Sequence, residues 1–293
     1  MSDVVKPPPD SASLPRFDHG WVLDDGQKLP YLSYVDDGAR VNWSDDLEDL
    51  HEESSRTHFI DVWTRGAMLE RLGSVPVGGG IADLGCSTGY LLEDLRAAYP
   101  EALLYGLDLV APGLAKAHGL VPDARLLRAD VCALPFADAS LDAVVSANLL
   151  EHVPDDVLAL KEMARALRSG GRAVIVIPAG PGTYDYYDRF LGHERRYGRG
   201  ELAGKAREAG FEVLEDAYLG SILYPAFWAT KKRNRRRHDH LSGEELERKV
   251  AHDIDQTQSS KVGEMTCRLE RGLLRRRVRI PFGVRGLVAL RKI

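Results

Sequence analysis

The chain has 293 residues, 44% hydrophobic and 28% charged, with a net charge of −5, which supplies a full core and excludes a disordered, fibrous or multiply membrane-spanning protein. Cys86, Cys132 and Cys267 lack CxxC spacing, so they predict neither a disulfide framework nor a zinc site, and they suit a reducing cytoplasm. Residues 222–293 carry 18 Lys and Arg against 8 Asp and Glu, net +10, while residues 1–221 stand at −15; such asymmetry marks either an anionic partner or basic helices packed on an acidic body.

Residues 1–42 read as an N-terminal tail or arm. Their first twenty positions are Pro- and Ser-rich, and they lack the apolar core of a signal peptide. From Trp43 to Leu72, apolar residues recur at three- and four-residue steps, Leu47, Leu50, Phe59, Ile60, Trp63, Met68 and Leu69. This predicts one or two helices that Gly73 can stop. From Gly80, short apolar runs alternate with amphipathic stretches. Seven strand candidates follow: Ile81–Leu84, Leu103–Leu107, Ala124–Arg128, Leu141–Ser146, Arg172–Ile177, Phe211–Leu214 and Gly286–Leu290. Helices fit between them at Tyr90–Ala98, Pro112–His118, Pro154–Arg168 and Arg199–Ala209. Alternation of this kind predicts an α/β fold with a Rossmann-like, doubly wound, mostly parallel sheet of seven strands. Residues 43–221 then form the core and 280–293 its last strand. Residues 222–279 break the rhythm as a helical insertion between the last two strands, expected to fold over the strand ends as a lid. No stretch is apolar enough to span a membrane: Leu219–Thr230 is short and broken by Pro225.

The stretch "IADLGCSTGYLLEDL", Ile81 to Leu95, puts glycines where a strand hands over to a helix. Glycine weakens both elements, so its place at the junction indicates a tight turn or the close approach of a ligand. The order Asp83-x-Gly85-x-Ser87-x-Gly89 contains no GxGxxG dinucleotide fingerprint. An acid in the loop repels a pyrophosphate and suits a cationic group. A second acid, Asp108, ends the next strand, positioned for two ribose hydroxyls. A third, Asp130, follows the third strand, where it can accept from an adenine amino group beside the Val131 N–H. Three acids at three successive strand ends interpret one another as ammonium, ribose and adenine sites.

"DLGCSTG", "GLDL", "RADVCALPFADASLDAVVSANLLEHV" and "ALRSGGRAVIVIP" together resemble class I S-adenosylmethionine-dependent methyltransferases over about Ile81 to Ile177. The resemblance implies S-adenosylmethionine as cofactor. Asp83 and Gly85, with Cys86, Ser87 and Gly89 of the same loop, would hold its methionyl part. Asp108 and Leu109 would meet the ribose, Asp130 and Val131 the adenine, and Asn148 would offer its backbone. Ser87 departs from the family's usual third glycine. Arg65, on the preceding helix, would take the methionine carboxylate or form a surface ion pair.

The cofactor brings an activated methyl group, so the chain must supply orientation, a dry site and, for a proton-bearing nucleophile, a base. His152 and His193 both fall after strand ends, and either one is that base or a helix-start residue. In the loop after the fifth strand, Tyr184 and Tyr187 line a substrate pocket or plug the core. Arg195 and Arg196, next to Tyr197, anchor a carboxylate or phosphate or pair with nearby acids. No cluster of histidines and carboxylates at metal spacing is evident near the strand ends, so no metal is expected. The leading reading is methyl transfer to an O or N atom of a small molecule, a metabolite, sugar, lipid or natural product, with an anionic acceptor among the options. The alternatives are methylation of RNA or a protein, and a catalytically silent cofactor-binding subunit. DNA is not an expected partner: the basic run Lys231–Arg237 lacks the aromatic interleaving of nucleic-acid platforms.

Overall fold

Strand-length apolar runs bounded by turns become one large sheet in the computed structural model, which describes residues 4–9, 11–36, 56–238, 240–258, 260–275, 278 and 280–293. The N-terminal region forms β1 (Arg16–Phe17), β2 (Trp21–Val22), β3 (Lys28–Leu29) and β4 (Tyr31–Ser33), ahead of helix α1 (Phe59–Leu72). Then come β5 (Gly80–Leu84), α2 (Tyr90–Ala98), β6 (Leu103–Asp108), α3 (Ala111–Leu120), β7 (Arg125–Arg128) and β8 (Leu141–Ala147). The second half adds α4 (Asp156–Ala166), β9 (Leu167–Pro178), α5 (Tyr186–Phe190), α6 (Glu201–Glu208) and β10 (Phe211–Leu219). Three helices, α7 (Tyr224–His238), α8 (Gly243–Gln258) and α9 (Lys261–Arg275), precede β11 (Arg285–Lys292).

The sheet has eight strands in the order β10-β11-β9-β8-β5-β6-β7-β4. β11 is antiparallel to both neighbours, and the pairings from β9 through β4 are parallel. The chain runs β5, β6, β7 to one side and β8, β9 to the other, so the topology reverses between β5 and β8, where open α/β sheets hold their ligands. β5 is buried at every position, as befits a central parallel strand covered on both faces. Alternate residues feed two cores: Ala82 and Leu84 join Leu160, Met163, Leu202 and Phe211 on one side. Ile81 joins Met68, Leu72, Leu92, Leu95 and Leu114 on the other.

Two expectations change. The sheet has an eighth strand, β4, parallel to β7, and described residues ahead of it, Val5 and Trp21 among them, pack on the core where a loose tail was expected. Val5 is 2% exposed and bridges Phe136. Trp21 is buried and donates its indole N–H to the Leu126 carbonyl at 3.0 Å. Strands of two or three residues carry too few alternations to register as a period. Of the helices expected over Trp43–Leu72, residues 43–55 lie outside the described residues.

The basic C-terminal part packs on the acidic body. Lys231 meets Asp185 at 2.6 Å, Arg285 meets Asp61 at 2.5 Å, and Arg271 pairs with Glu70. The Glu270 carboxylate accepts the Ser221 and Ile222 N–H groups, tying α9 to the end of β10. These pairs follow the second reading of the charge asymmetry.

Candidate functional site

A cavity of about 1090 Å³ opens at the carboxyl ends of the central strands, just above the range of about 300–1,000 Å³ for ligand pockets. One end is built by the loop after β5. Gly85 has φ +77°, and a Cβ there would stand 3.0 Å from Leu149 Cβ; Gly89 has φ +89°, and its Cβ would stand 2.9 Å from Ala117 Cβ. Both positions therefore require glycine on conformation and on space. Ser87 adopts φ +45° and donates its N–H to Asp108 Oδ2 at 2.8 Å. The place of the family's third glycine thus holds the loop against β6.

Asp108 also accepts the Val110 N–H on Oδ1 at 2.9 Å. Burial pushes its carboxyl up while the backbone N–H groups of Val110, Ser87 and Leu109 pull it down. Gly85, Ser87, Asp108, Leu109, Asp130, Val131 and Asn148 all line the cavity. Asp130 holds its turn by accepting the Cys132 N–H at 2.8 Å. Asn148 has φ +53°, and its N–H is already donated to the Val176 carbonyl at 2.9 Å, so the expected backbone contact falls to its own carbonyl.

Asp83, Cys86 and Gly89 do not form the cavity surface. Asp83 is 1% exposed and neither carboxylate oxygen has a hydrogen-bond partner among the described residues. Burial, and then the charge of Asp108, push its carboxyl up to about 8. An orphaned buried acid behind a glycine loop fits the approach of a cationic group, which would offset the cost of ionising it. Cys86 packs inward, toward Gly106. Arg65 is corrected outright: its Nε donates to Asp94 Oδ2 at 2.6 Å, and it is not part of the cavity wall. α1 turns this side chain toward α2, so the ion-pair alternative holds.

The other end of the cavity collects residues from three distant segments. Glu151 and His152 lie in a single 3₁₀ turn, Leu150–His152, just past β8. His193 follows α5, and its ring stands edge-on to that of His152 with centroids 4.7 Å apart. His193 Nδ1 is 2.9 Å from Asp188 Oδ1, which also accepts from Arg196 Nε at 2.6 Å. Burial raises the Asp188 carboxyl, but the His193 hydrogen bond, Arg196 and Lys231 outweigh it and hold the group well below the usual carboxylate range. Because Asp188 is ionised, Nδ1 is the donor, and Nε2 faces Glu151, 3.9 Å away. Glu151 is fully buried and both its carboxylate oxygens lack partners among the described residues. Burial pushes its carboxyl up to about 7 against the pull of His193.

Of the five expected substrate residues, two line the cavity and three do not. Tyr187 and Arg196 line the cavity; Tyr184 and Arg195 do not. The Tyr184 hydroxyl donates to the His193 carbonyl at 2.7 Å, and Arg195 pairs with Asp156 at 3.2 Å. Tyr197 is likewise outside the cavity, buried with its hydroxyl on Asp156 Oδ2 at 2.8 Å. These three brace the loop that carries His193. Arg196 is held by Asp188, so the alternative of pairing with nearby acids also describes it. In "TYDYYD", Asp185 and Asp188 cap α5 reciprocally, and Asp185 accepts from Lys231 of α7 at 2.6 Å.

Sequence reasoning missed Glu151, Asn234 and Asp253, all of which line the cavity, and weighed Lys231 only as part of a basic run that either meets an anionic substrate or is a solvated face. A carboxylate set between Leu150 and His152 right after an apolar strand was the available signal for Glu151. For Asn234 and Asp253 there was none, because isolated polar residues of the insertion resemble a solvated face until the helices are placed. The expectation of no metal cluster is also corrected. Glu151, His152 and His193 each bring a ligand atom within 4.8 Å of the others, a grouping that needs the turn after β8 and the loop after β9 to meet.

Residues 82–175 match the family described as a methyltransferase domain. Over 129 residues the chain is 31% identical to demethylmenaquinone methyltransferase of Roseiflexus sp. strain RS-1, covering 41% of this chain and 54% of that protein. Over 118 residues it is 37% identical to the Thermus thermophilus protein of the same name, covering 39% and 53%. The chain thus spans about half the length of these curated relatives. Among solved structures, Haemonchus contortus phosphoethanolamine N-methyltransferase 2 in complex with S-adenosyl-L-methionine superposes with a TM-score of 0.60 at 17% identity, over 86% of this chain and 58% of that one. That likeness supports the Rossmann-like fold. With a glycine loop after β5 and acids in β5 and β6, residues 82–175 match a methyltransferase domain and are similar to those of class I S-adenosylmethionine-dependent methyltransferases.

Proposed function

We propose that the protein is an enzyme that transfers a methyl group from S-adenosylmethionine to an O or N atom of a small molecule. The observation that carries this reading is a single cavity with two chemically different ends. At one end stand the Gly85–Ser87 loop, Asp108, Asp130 and Val131; at the other, Glu151, His152 and His193. The residues fit the cofactor: Gly85 admits close backbone approach, Asp108 and Asp130 accept from ribose and adenine, and Asp83 lies behind the loop for an ammonium. When bound, the cofactor supplies a sulfonium methyl that needs in-line attack.

The chain's own groups do the rest. His193, oriented by Asp188, turns Nε2 toward the acceptor end, so a proton-bearing nucleophile gives up its proton to this cluster. Tyr187 and Phe227 add apolar wall, and α7 with α8 contributes Lys231, Asn234, Lys249 and Asp253 on the remaining side, which supports a lid role for the insertion. Arg233 and Arg237 line the same cavity and favour an acceptor with an acidic group. A cavity of about 1090 Å³ has room for the cofactor and a small molecule together, which supports that acceptor class over an RNA or protein chain. Domain boundaries near 222 and 280 follow from the same reading, because the insertion leaves the sheet after β10 and returns at β11.

The test has two parts. Calorimetry with S-adenosylhomocysteine is expected to give one site per chain. Incubation of labelled S-adenosylmethionine with fractionated cell extract is expected to label a small molecule. Label only in RNA or protein would overturn the acceptor class, and binding without transfer to any fraction would leave the silent-subunit alternative.

A further inference from the structure

We infer that Glu151, His152 and His193 form a binding site for a divalent first-row transition-metal ion at the acceptor end of the cavity. This deepens the reading just given and rests on it only for what the ion would adjoin; with an ion bound, His193 Nε2 would be its ligand and not the base, and the acceptor's proton would be lost more easily from an oxygen or nitrogen held on the ion. Three observations support the site independently of one another.

The first is spacing. One ligand atom from each residue lies within 4.8 Å of the other two, and His193 Nε2 and Glu151 Oε1 are 3.9 Å apart. At ion–ligand bonds of about 2.1 Å, two ligands stand about 3.4 Å apart at a tetrahedral angle and up to about 4.2 Å apart in line. The His193–Glu151 distance is therefore too long for a hydrogen bond and within the span of two ligands to one ion. The third ligand atom lies within 4.8 Å of both, at most about 0.6 Å beyond that span.

The second is the state of Glu151. It is 0% exposed, it lines the cavity, and neither carboxylate oxygen has a hydrogen-bond partner among the described residues. A buried carboxylate calls for a cation or donors to compensate it. The neighbouring imidazole stands beyond hydrogen-bond reach and does not supply one.

The third is how His193 is held. Its Nδ1 donates to Asp188, and Asp188 is in turn held by Arg196 Nε at 2.6 Å, with Lys231 Nζ 3.6 Å from its other oxygen. A carboxylate that takes one imidazole N–H fixes the tautomer and aims the other nitrogen's lone pair, the usual support of a metal-ligating histidine. Asp188 is itself 0% exposed, so the aim is rigid. Two imidazoles and one carboxylate suit zinc, cobalt, iron or manganese, and suit magnesium and calcium poorly, since those prefer all-oxygen sites. Three protein ligands leave further positions open, and all three residues line the cavity that would take the acceptor.

The experiment uses the full chain, stripped with a chelator and then titrated with Co²⁺. The expected result is one equivalent bound, with the visible absorption band of a low-coordinate cobalt site. Glu151→Gln, which keeps the side chain's shape, should weaken the binding at least tenfold, and so should His193→Ala. Asp188→Asn should weaken it about tenfold, the usual cost of losing the partner that orients a ligating histidine. His118→Ala, whose ring lies outside the cavity, should leave the band unchanged. A wild-type chain with no such band, or one whose cobalt binding is unaffected by Glu151→Gln, overturns the proposal. If His193→Ala fails to fold, Glu151→Gln decides alone. S-adenosylhomocysteine calorimetry on the same stripped samples separates the two readings. Cofactor binding without cobalt binding defeats the metal site alone, and loss of both defeats the site as a whole.

Discussion

The two ends of the cavity are made by different means. The proposed cofactor end is built from backbone: a loop with two positive-φ glycines, acids in the last residues of β5 and β6, and N–H groups that lock Asp108 to Ser87 and Val110. The proposed acceptor end is built from side chains of three segments far apart in sequence, carried by the turn after β8, the loop after β9 and the insertion before β11. Backbone sites depend on local rules and survive with few contacts. Side-chain sites need their supports packed, which is why Tyr184, Arg195 and Tyr197 are braces rather than walls. A substitution at the first end should therefore read out in binding, and one at the second in turnover.

The sharpest separation is expected at His193. His193→Ala should lower methyl transfer by about 10²–10⁴-fold, the reach of a proton-transfer group, while S-adenosylhomocysteine affinity stays within about twofold. A matching loss of cofactor affinity would break the division between the ends. Calorimetry beside initial-rate measurements checks both.

The next effect is in stability against pH. In the native chain Asp83 keeps its proton up to about pH 8, whereas unfolded it titrates near pH 4. Between those values the unfolded state binds fewer protons, so stability falls as pH rises, by up to about 1.4 kcal/mol per pH unit. Asp83→Asn removes the titrating group. Urea denaturation at pH 5 and pH 8 should show wild type losing a few kcal/mol more than the variant over that interval. Equal losses would mean that Asp83 is compensated inside the fold, and would weaken the argument that its burial serves a cationic ligand.

Asp108→Ala is expected to cost about 1.5–3 kcal/mol of cofactor affinity, the range for hydrogen bonds to a charged group. The far-ultraviolet circular dichroism should be unchanged. Part of that cost arises because the Ser87 and Val110 N–H groups lose their acceptor, so Asp108→Asn, which retains one, should lose less.

The smallest effect is predicted for Arg65. With its guanidinium committed to Asp94, Arg65→Ala should leave cofactor affinity unchanged and lower stability by less than about 1 kcal/mol, as for a partly exposed ion pair. Weaker cofactor binding would return Arg65 to the site.

These contrasts also bound what the sequence by itself determined. Period and punctuation marked the central strands, because a parallel strand buried on both faces reads as a continuous apolar run and the glycines at 85 and 89 answer to local backbone conformation. The cofactor loop was legible for the same reason: its chemistry lies within a few residues of each strand end. β4 and the burial of Trp21 were not, since two- and three-residue strands carry no measurable period. The pairing of Glu151 with His152 and His193, the hold of Asp188 on His193, and Lys231 reaching Asp185 across 46 positions were decided only by tertiary structure. Each depends on long-range packing that brings together side chains whose local sequence is equally compatible with a helix cap, a core plug or a solvated face.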